Sequence, residues 1–202
     1  MIWQLHSDKF PLYGKLIFFV TNNLHKFNEA RRVLAEYGLA TVMLKIKTLE
    51  VQDEDIKNIA KMSALSAFRE VNLPVIVEDA GLFIEALNGF PGPYSSYAYR
   101  MIGVNGILKL MDGVDNRRAQ FKSAVAFCDS INNVRCFHGV ADGRISEKPR
   151  GSGGFGFDPI FEPEERPGKT FAEMSIEEKN MFSHRAKAIR MFAEWYKSQQ
   201  NP

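Results

Sequence analysis

Two adjacent carboxylates, Glu78 and Asp79, follow the apolar run Pro74-Val75-Ile76-Val77 and precede Ala80-Gly81. A β-branched run of this kind suits a buried strand, and the small residues after it suit a tight exit. Carboxylates at such an edge are costly unless a positive charge meets them. In phosphate chemistry that partner is commonly a divalent ion such as Mg²⁺. The plain alternative is an acidic turn facing solvent, because exposed carboxylates are ordinary.

Three other stretches carry groups suited to a phosphate or a base. In Thr21-Asn22-Asn23-Leu24-His25-Lys26 a strand ends and a helix begins with a lysine in its first turn. Free backbone N–H groups at a helix N-terminus bind phosphate, and Lys26 adds a full charge. The glycines and the Gly-Lys-Ser/Thr ending of a Walker loop are absent. Capping by Asn22 or Asn23 accounts for the same residues without a ligand. Glu50 follows the second expected strand and by itself reads as a surface charge. In a parallel α/β sheet the loops after strands one, two and three share one edge, which would bring Glu50 to the other two groups.

The stretch Gly151-Ser152-Gly153-Gly154-Phe155-Gly156-Phe157-Asp158-Pro159 combines glycines, which allow close backbone approach, with aromatics that can stack on a base. Asp158 could accept hydrogen bonds from a base or sugar. A glycine-rich hairpin with core phenylalanines is the commoner outcome for such a string. Lys179, His184 and Arg185 gather three basic groups near Ser183, a natural helix cap. Arg185 can donate in a fork to a carbonyl or phosphate. No Ser-His-Asp or Cys-His arrangement points to covalent catalysis.

The elements that must position these groups read as β-α-β-α-β in the first half, the pattern of an α/β protein. Lys15 to Val20 is a buried strand. A helix to about Tyr37 carries Phe27, Ala30, Val33, Leu34 and Tyr37 at helical spacing and stops at Gly38. Thr41 to Ile46 is a second strand. Asp53 caps a second helix running to about Val71, and Pro74 to Val77 is a third strand ending at the acidic pair. Leu82 to Leu87 reads as a further strand, Asn88 to Tyr94 as a loop, and Val104 to Met111 as a helix. Phe121 to Cys128 and Val134 to Val140 form a hairpin, and Pro159-Ile160-Phe161 a short strand. Ser175 with Glu178 is a capping-box pattern for a C-terminal helical region, in which Ser183 starts a second helix.

Length and composition narrow the function. The 202 residues fit one domain or two closely joined lobes, with apolar and charged fractions of an ordinary soluble protein. A net charge of +2 is too small to indicate nucleic-acid binding by charge alone. No apolar run is long enough to span a membrane, and Met1 to Gly14 lacks a signal-peptide core, so a cytoplasmic location is expected. Residues 1–14 read as an appendage and 15–202 as one domain. Cys128 and Cys136 flank a polar turn and are expected as reduced thiols.

Five segments in order, TNNLHK (21–26), VEDAGLFIEALNGFPGPYSSY (77–97), GFGFDPIF (154–161), TFAEMSIEEKN (170–180) and SHR (183–185), together resemble the inosine triphosphate pyrophosphatase family, the Ham1-like non-canonical purine NTP pyrophosphatases. The resemblance implies an elongated mixed-sheet α/β fold, with two lobes around a central substrate cleft. It implies a homodimer that uses Mg²⁺ to hydrolyse ITP, dITP and XTP to the monophosphate and pyrophosphate. By position, Thr21, Asn22, Asn23 and Lys26 would hold the triphosphate, and Glu50 with Asp79 the metal. Asp79 would also accept the proton of the attacking water. Phe155 would stack on the base, with Gly156, Phe157 and Asp158 nearby. Lys179, His184 and Arg185 would read the base. Asn22 stands where the family often has glycine, Ala80 where it often has serine, and Phe157 where it often has tyrosine or tryptophan. Ala80 can therefore offer only its backbone N–H. The family often has a substrate-contacting lysine on the second helix; Lys61 is a candidate for it, left unassigned because its spacing to Asp79 does not clearly agree. A Maf-like pyrophosphatase or a non-catalytic nucleotide-binding protein is the competing reading.

Overall fold

The computed structural model describes residues 16–49 and 51–199, so the expected appendage at 1–14 and Glu50 lie outside the described residues. A single seven-stranded mixed sheet runs through the described chain. Strand β1 (Leu16–Val20) lies between β2 (Ala40–Leu44) and β3 (Val75–Ile84), parallel to both. Beyond β3 the sheet turns antiparallel through β5 (Arg118–Ser130), β6 (Asn133–Ile145) and β7 (Phe161–Pro163). The two-residue β4 (Pro91–Gly92) pairs with the end of β3.

Helix α1 (Leu24–Glu36) begins where Asn23 accepts from the backbone N–H groups of His25 and Lys26. It buries Ala30, Val33 and Leu34, one apolar face at helical spacing. That face packs with α5 (His184–Ser198) against Phe19, Ile76 and Phe127 on one side of the sheet. Truncating such a fully buried leucine, Leu34→Ala, would cost about 2–5 kcal/mol. Helix α2 (Ile56–Val71) covers the opposite side with Ile56, Ala60, Ala64 and Ala67 against Val75, Val77 and Ala124. Its cap is Asp55, which accepts from the Lys57 N–H; Asp53, the expected cap, instead accepts from the N–H of Asp55, two residues on. A third cluster, with Leu82, Ile107, Phe121, Phe161 and Phe171, fills the antiparallel end under α3 (Ser95–Leu110).

Three expectations change. The strand bearing the acidic pair does not end there: β3 continues to Ile84 and absorbs the separate strand expected at 82–87. What ends is β1, whose last paired residue, Val20, faces Val77. The edge at Glu78 is therefore made by the neighbouring strand. Gly81 permits the continuation, because a Cβ there would sit 2.2 Å from the Gly92 carbonyl oxygen of β4. The helix expected from Val104 is present, but a further helical segment from Ser95 precedes it across a break at Gly103 (φ 61°). Pro159 and Ile160 form a 3-10 turn with Asp158, and only Phe161 enters β7. The hairpin is as expected but longer, and Cys128 and Cys136 are free thiols.

Candidate active site

Successive strand residues point to opposite faces, so β3 separates its two carboxylates. Glu78 alternates with Ile76 and meets α1 and α5. Arg185 Nε donates to its Oε1 at 3.0 Å, Ser123 Oγ donates to the same atom at 2.6 Å, and Lys26 Nζ lies 2.9 Å from Oε2. Burial alone would raise its pKa, but the Arg185 charge, then Lys26 and the Ser123 bond, hold it down at about 2. Asp79 alternates with Val77 and has no such company. Its buried Oδ2 has no hydrogen-bond partner. Burial, with the Glu78 charge adding and Lys26 opposing, pushes it up to about 6.

The N-terminus of α1 supplies less free backbone than the sequence allowed. Asn23 Oδ1 takes the N–H groups of His25 and Lys26, and Thr21 Oγ1 takes that of Asn23. Asn22 is exposed beside them. The group left with charge to offer a phosphate is Lys26, whose Nζ also donates to the Glu78 carbonyl at 3.3 Å. That carbonyl lies just past the end of β1, so Lys26 closes the sheet edge and faces the acidic pair together.

The glycine-rich loop folds around Asp158. Gly154 has φ 67°, and a Cβ there would lie 2.1 Å from Asp158 Oδ2. That oxygen accepts from the Phe155 N–H at 2.9 Å and from Lys179 Nζ at 2.7 Å. Burial raises the Asp158 pKa against the Lys179 charge. The Phe155 ring is left half-buried. The imidazole of His25 stacks on it at 5.2 Å between centroids, while Lys179 Nζ and Arg185 Cζ approach at 5.2 and 5.4 Å. Gly156 (φ 62°) follows in the left-handed region. Phe157 differs from Phe155: its side chain is buried in the core under α3, edge-on to Tyr99, which leaves only its backbone for a ligand.

Helix α4 (Ile176–Asn180) and α5 deliver the cations. Ser175 and Ser183 cap them as expected, through the N–H groups of Glu178 and Ala186. Lys179 and Arg185 are almost fully buried, and both meet Glu29 of α1. Lys179 Nζ donates to Glu29 Oε1 at 2.8 Å, and Arg185 Nη1 donates to Glu29 Oε2. Burial would raise the Glu29 pKa, but Arg185 and Lys179 carry it below its ordinary value. The chain Asp158–Lys179–Glu29–Arg185–Glu78–Lys26 is thus continuous and links the Phe155 loop to the acidic pair. Removing one partner of such a buried pair costs about 3–5 kcal/mol. His184 is also buried, stacked on Phe121 at 4.7 Å, and its Nδ1 has no partner. Burial, then the surrounding cations, puts its pKa well below the ordinary range, so the ring is neutral at pH 7.

Sequence reading missed Glu29, Ser123 and the stacking role of His25. Glu29 carried a signal, because it lies beside Ala30 and one turn before Val33 on the buried face of α1. A carboxylate there needs a cation. Ser123 interrupts the apolar alternation Phe121, Val125, Phe127 of β5 at a buried position.

Among the described residues no three His, Cys, Asp or Glu side chains cluster as a metal site. Mg²⁺ seldom asks for one, since it binds through one or two carboxylates and fills its shell with water and substrate phosphates. Asp79, with a buried unpartnered oxygen beside the sheet edge, fits that demand. Glu78, committed to Arg185, Lys26 and Ser123, does not.

Comparison with known proteins gives this arrangement a family. The Ham1 family model matches residues 17–195. The chain belongs to the Ham1 family. Its Ham1 relatives include a dITP/XTP pyrophosphatase of Methanopyrus kandleri, 48% identical over 90% of this chain and 96% of that protein. One from Hyperthermus butylicus is 49% identical over 90% of this chain and 95% of its own length. The solved Ham1 protein of Staphylococcus aureus superposes with a TM-score of 0.78 at 28% identity, over 92% of this chain and all of that one. The seven-stranded mixed sheet is thus a Ham1 fold.

Proposed function

We propose that this chain hydrolyses the non-canonical purine nucleotides ITP, dITP and XTP to the nucleoside monophosphate and pyrophosphate. The relatives named dITP/XTP pyrophosphatases, close in sequence over nearly their whole length, support the reaction class. The observation that carries the reading is Asp79, a half-buried residue whose carboxylate oxygen Oδ2 is buried and unpartnered, with a raised pKa of about 6, beside Lys26. In the metal-free protein a group poised there is ionised at neutral pH yet basic enough to take a proton.

The chain's own residues divide the work. Lys26, with Thr21 and Asn23 shaping its helix end, neutralises phosphate charge. The Asp79 carboxylate accepts the proton of a water whose oxygen bonds to the α-phosphorus. As that bond forms, the bond to the bridging oxygen breaks and pyrophosphate leaves. Asp79 and Glu50 are the residues we assign to Mg²⁺, which when bound with the triphosphate supplies charge neutralisation at the reacting phosphates.

Base choice follows from donors that cannot move. Two of the three N–H bonds of Lys179 go to Glu29 and Asp158, and Arg185 Nη2 lies outside both of its ion pairs. A base on Phe155 therefore meets leftover donors. The 6-keto oxygen of hypoxanthine or xanthine accepts from them, whereas the adenine amino group does not. Such a mismatch can discriminate by orders of magnitude.

The same reading makes the protein a cytoplasmic homodimer that meets nucleotides rather than nucleic acids or membranes. Tyr94, Tyr97 and Met101 stand exposed at helical spacing along the start of α3, a face suited to a second copy. No helix among the described residues is long and apolar enough to cross a membrane. Initial rates with Mg²⁺ and each of ITP, dITP, XTP, ATP and GTP test the reading. It requires pyrophosphate release from the first three at least about 10-fold faster than from ATP; equal rates with ATP would remove the base assignment.

A further inference from the structure

His25 has no part in the reaction as described, yet its imidazole lies against the ring assigned to the base. The two rings are nearly parallel, 21° between planes, with centroids 5.2 Å apart. The other groups on Phe155 are fixed. Lys179 and Arg185 are buried and each held by two carboxylates, and the Phe155 N–H is tied to Asp158. His25 is exposed, and among the described residues no hydrogen bond holds its ring; only its backbone N–H is engaged, by Asn23.

We propose that His25 is an affinity-determining residue that occupies the stacking face of Phe155 when no nucleotide is bound and must swing away for a base to enter. This rests on the assignment of Phe155 to the base. Insertion of a base between the two rings would need about 7 Å, twice the contact distance of stacked carbon atoms. Helix α1 cannot back away to provide it, because Ala30, Val33 and Leu34 anchor it in the core and Lys26 ties its first turn to Glu78. Rotation of the exposed side chain is the remaining route. Binding then replaces one stacked ring by another, and the nucleotide loses what the His25–Phe155 contact was worth.

An aromatic pair of this kind contributes enough to shift an equilibrium roughly 2- to 10-fold. His25→Ala should therefore lower KM for ITP by about that factor with kcat unchanged, and His25→Phe should raise KM. A KM for His25→Ala that is unchanged or higher overturns the inference. Turnover of ITP by the unmutated protein in the same assay keeps the proposed function separate, since its absence would count against that reading instead. Histidine ring signals in NMR give a direct readout. Those of His25, assigned by their loss in His25→Ala, should be shifted upfield by Phe155 in the free protein, lose that shift in Phe155→Leu, and move downfield when IMP is added. A His25 signal that saturating IMP leaves in place contradicts the displacement.

Discussion

Neighbouring carboxylates on β3 titrate at opposite ends of the acidic range, Glu78 at about 2 and Asp79 at about 6. The difference comes from which face each occupies. Glu78 points at Arg185 and Lys26, so its charge stabilises the fold above the ordinary carboxylate range, and that contribution is lost as pH falls from about 4.5 toward 2. Asp79 has the reverse sign. The folded protein holds its proton more tightly than the unfolded chain does, so stability drops as pH rises from about 4 through 6. Its ionised form costs on the order of 3 kcal/mol at neutral pH. Asp79→Asn is thus expected to abolish turnover while stabilising the metal-free protein by about 1–3 kcal/mol at pH 8. The gain should shrink toward pH 4. Denaturant unfolding at the two pH values checks it, and a variant less stable than the parent at pH 8 would contradict the assignment. The family resemblance already gave Asp79 the metal and the proton, but not the partners of Glu78, because those depend on how α1, α5 and β5 dock around it.

Elements differ in how far their sequences disclosed them. Helices α1 and α5 were readable from caps and periodic apolar residues, Asn23 and Ser183 at their starts and Ala30, Val33, Ile189 and Phe192 along them. Strand β3 was readable at its two ends but not as one strand, because Glu78-Asp79-Ala80-Gly81 between them is a poor strand sequence by propensity. Ten consecutive pairings with β5, from Val75 opposite Cys128 to Ile84 opposite Ala119, override that preference. The loop that presents Phe155 lies between these cases: its glycines were conspicuous, and what they serve is Asp158. Gly154→Ala adds a methyl group where Asp158 Oδ2 sits, at a residue whose φ of 67° already disfavours a side chain. It should destabilise the protein by about 1–3 kcal/mol and raise KM for ITP several-fold, since Lys179 and Phe155 lose their common anchor. Thermal unfolding and steady-state kinetics measure both. A normal KM would show that the loop does not position the base.

Across the whole molecule, the site is where the parallel and antiparallel halves of the sheet meet, and buried charges join them. Glu29 and Lys26 come from α1, Glu78 from β3, Asp158 from the turn before β7, and Lys179 and Arg185 from α4 and α5. Such a network can be assembled only after every element has docked, which is why its members other than Glu29 could be named from sequence but not their pairing. The same scale holds the proposed dimer. Tyr97→Glu with Met101→Glu places charge on the exposed face of α3 and should convert a dimer to monomers in light scattering at micromolar concentration. A dimer that survives the double substitution would move the interface elsewhere. In the proposed reaction water, deprotonated by Asp79, attacks the α-phosphorus. Hydrolysis of ITP in ¹⁸O-labelled water with Mg²⁺ tests it most directly. One labelled oxygen is expected in IMP and none in pyrophosphate; label in pyrophosphate, or release of IDP with inorganic phosphate, would rule out attack at the α-phosphorus.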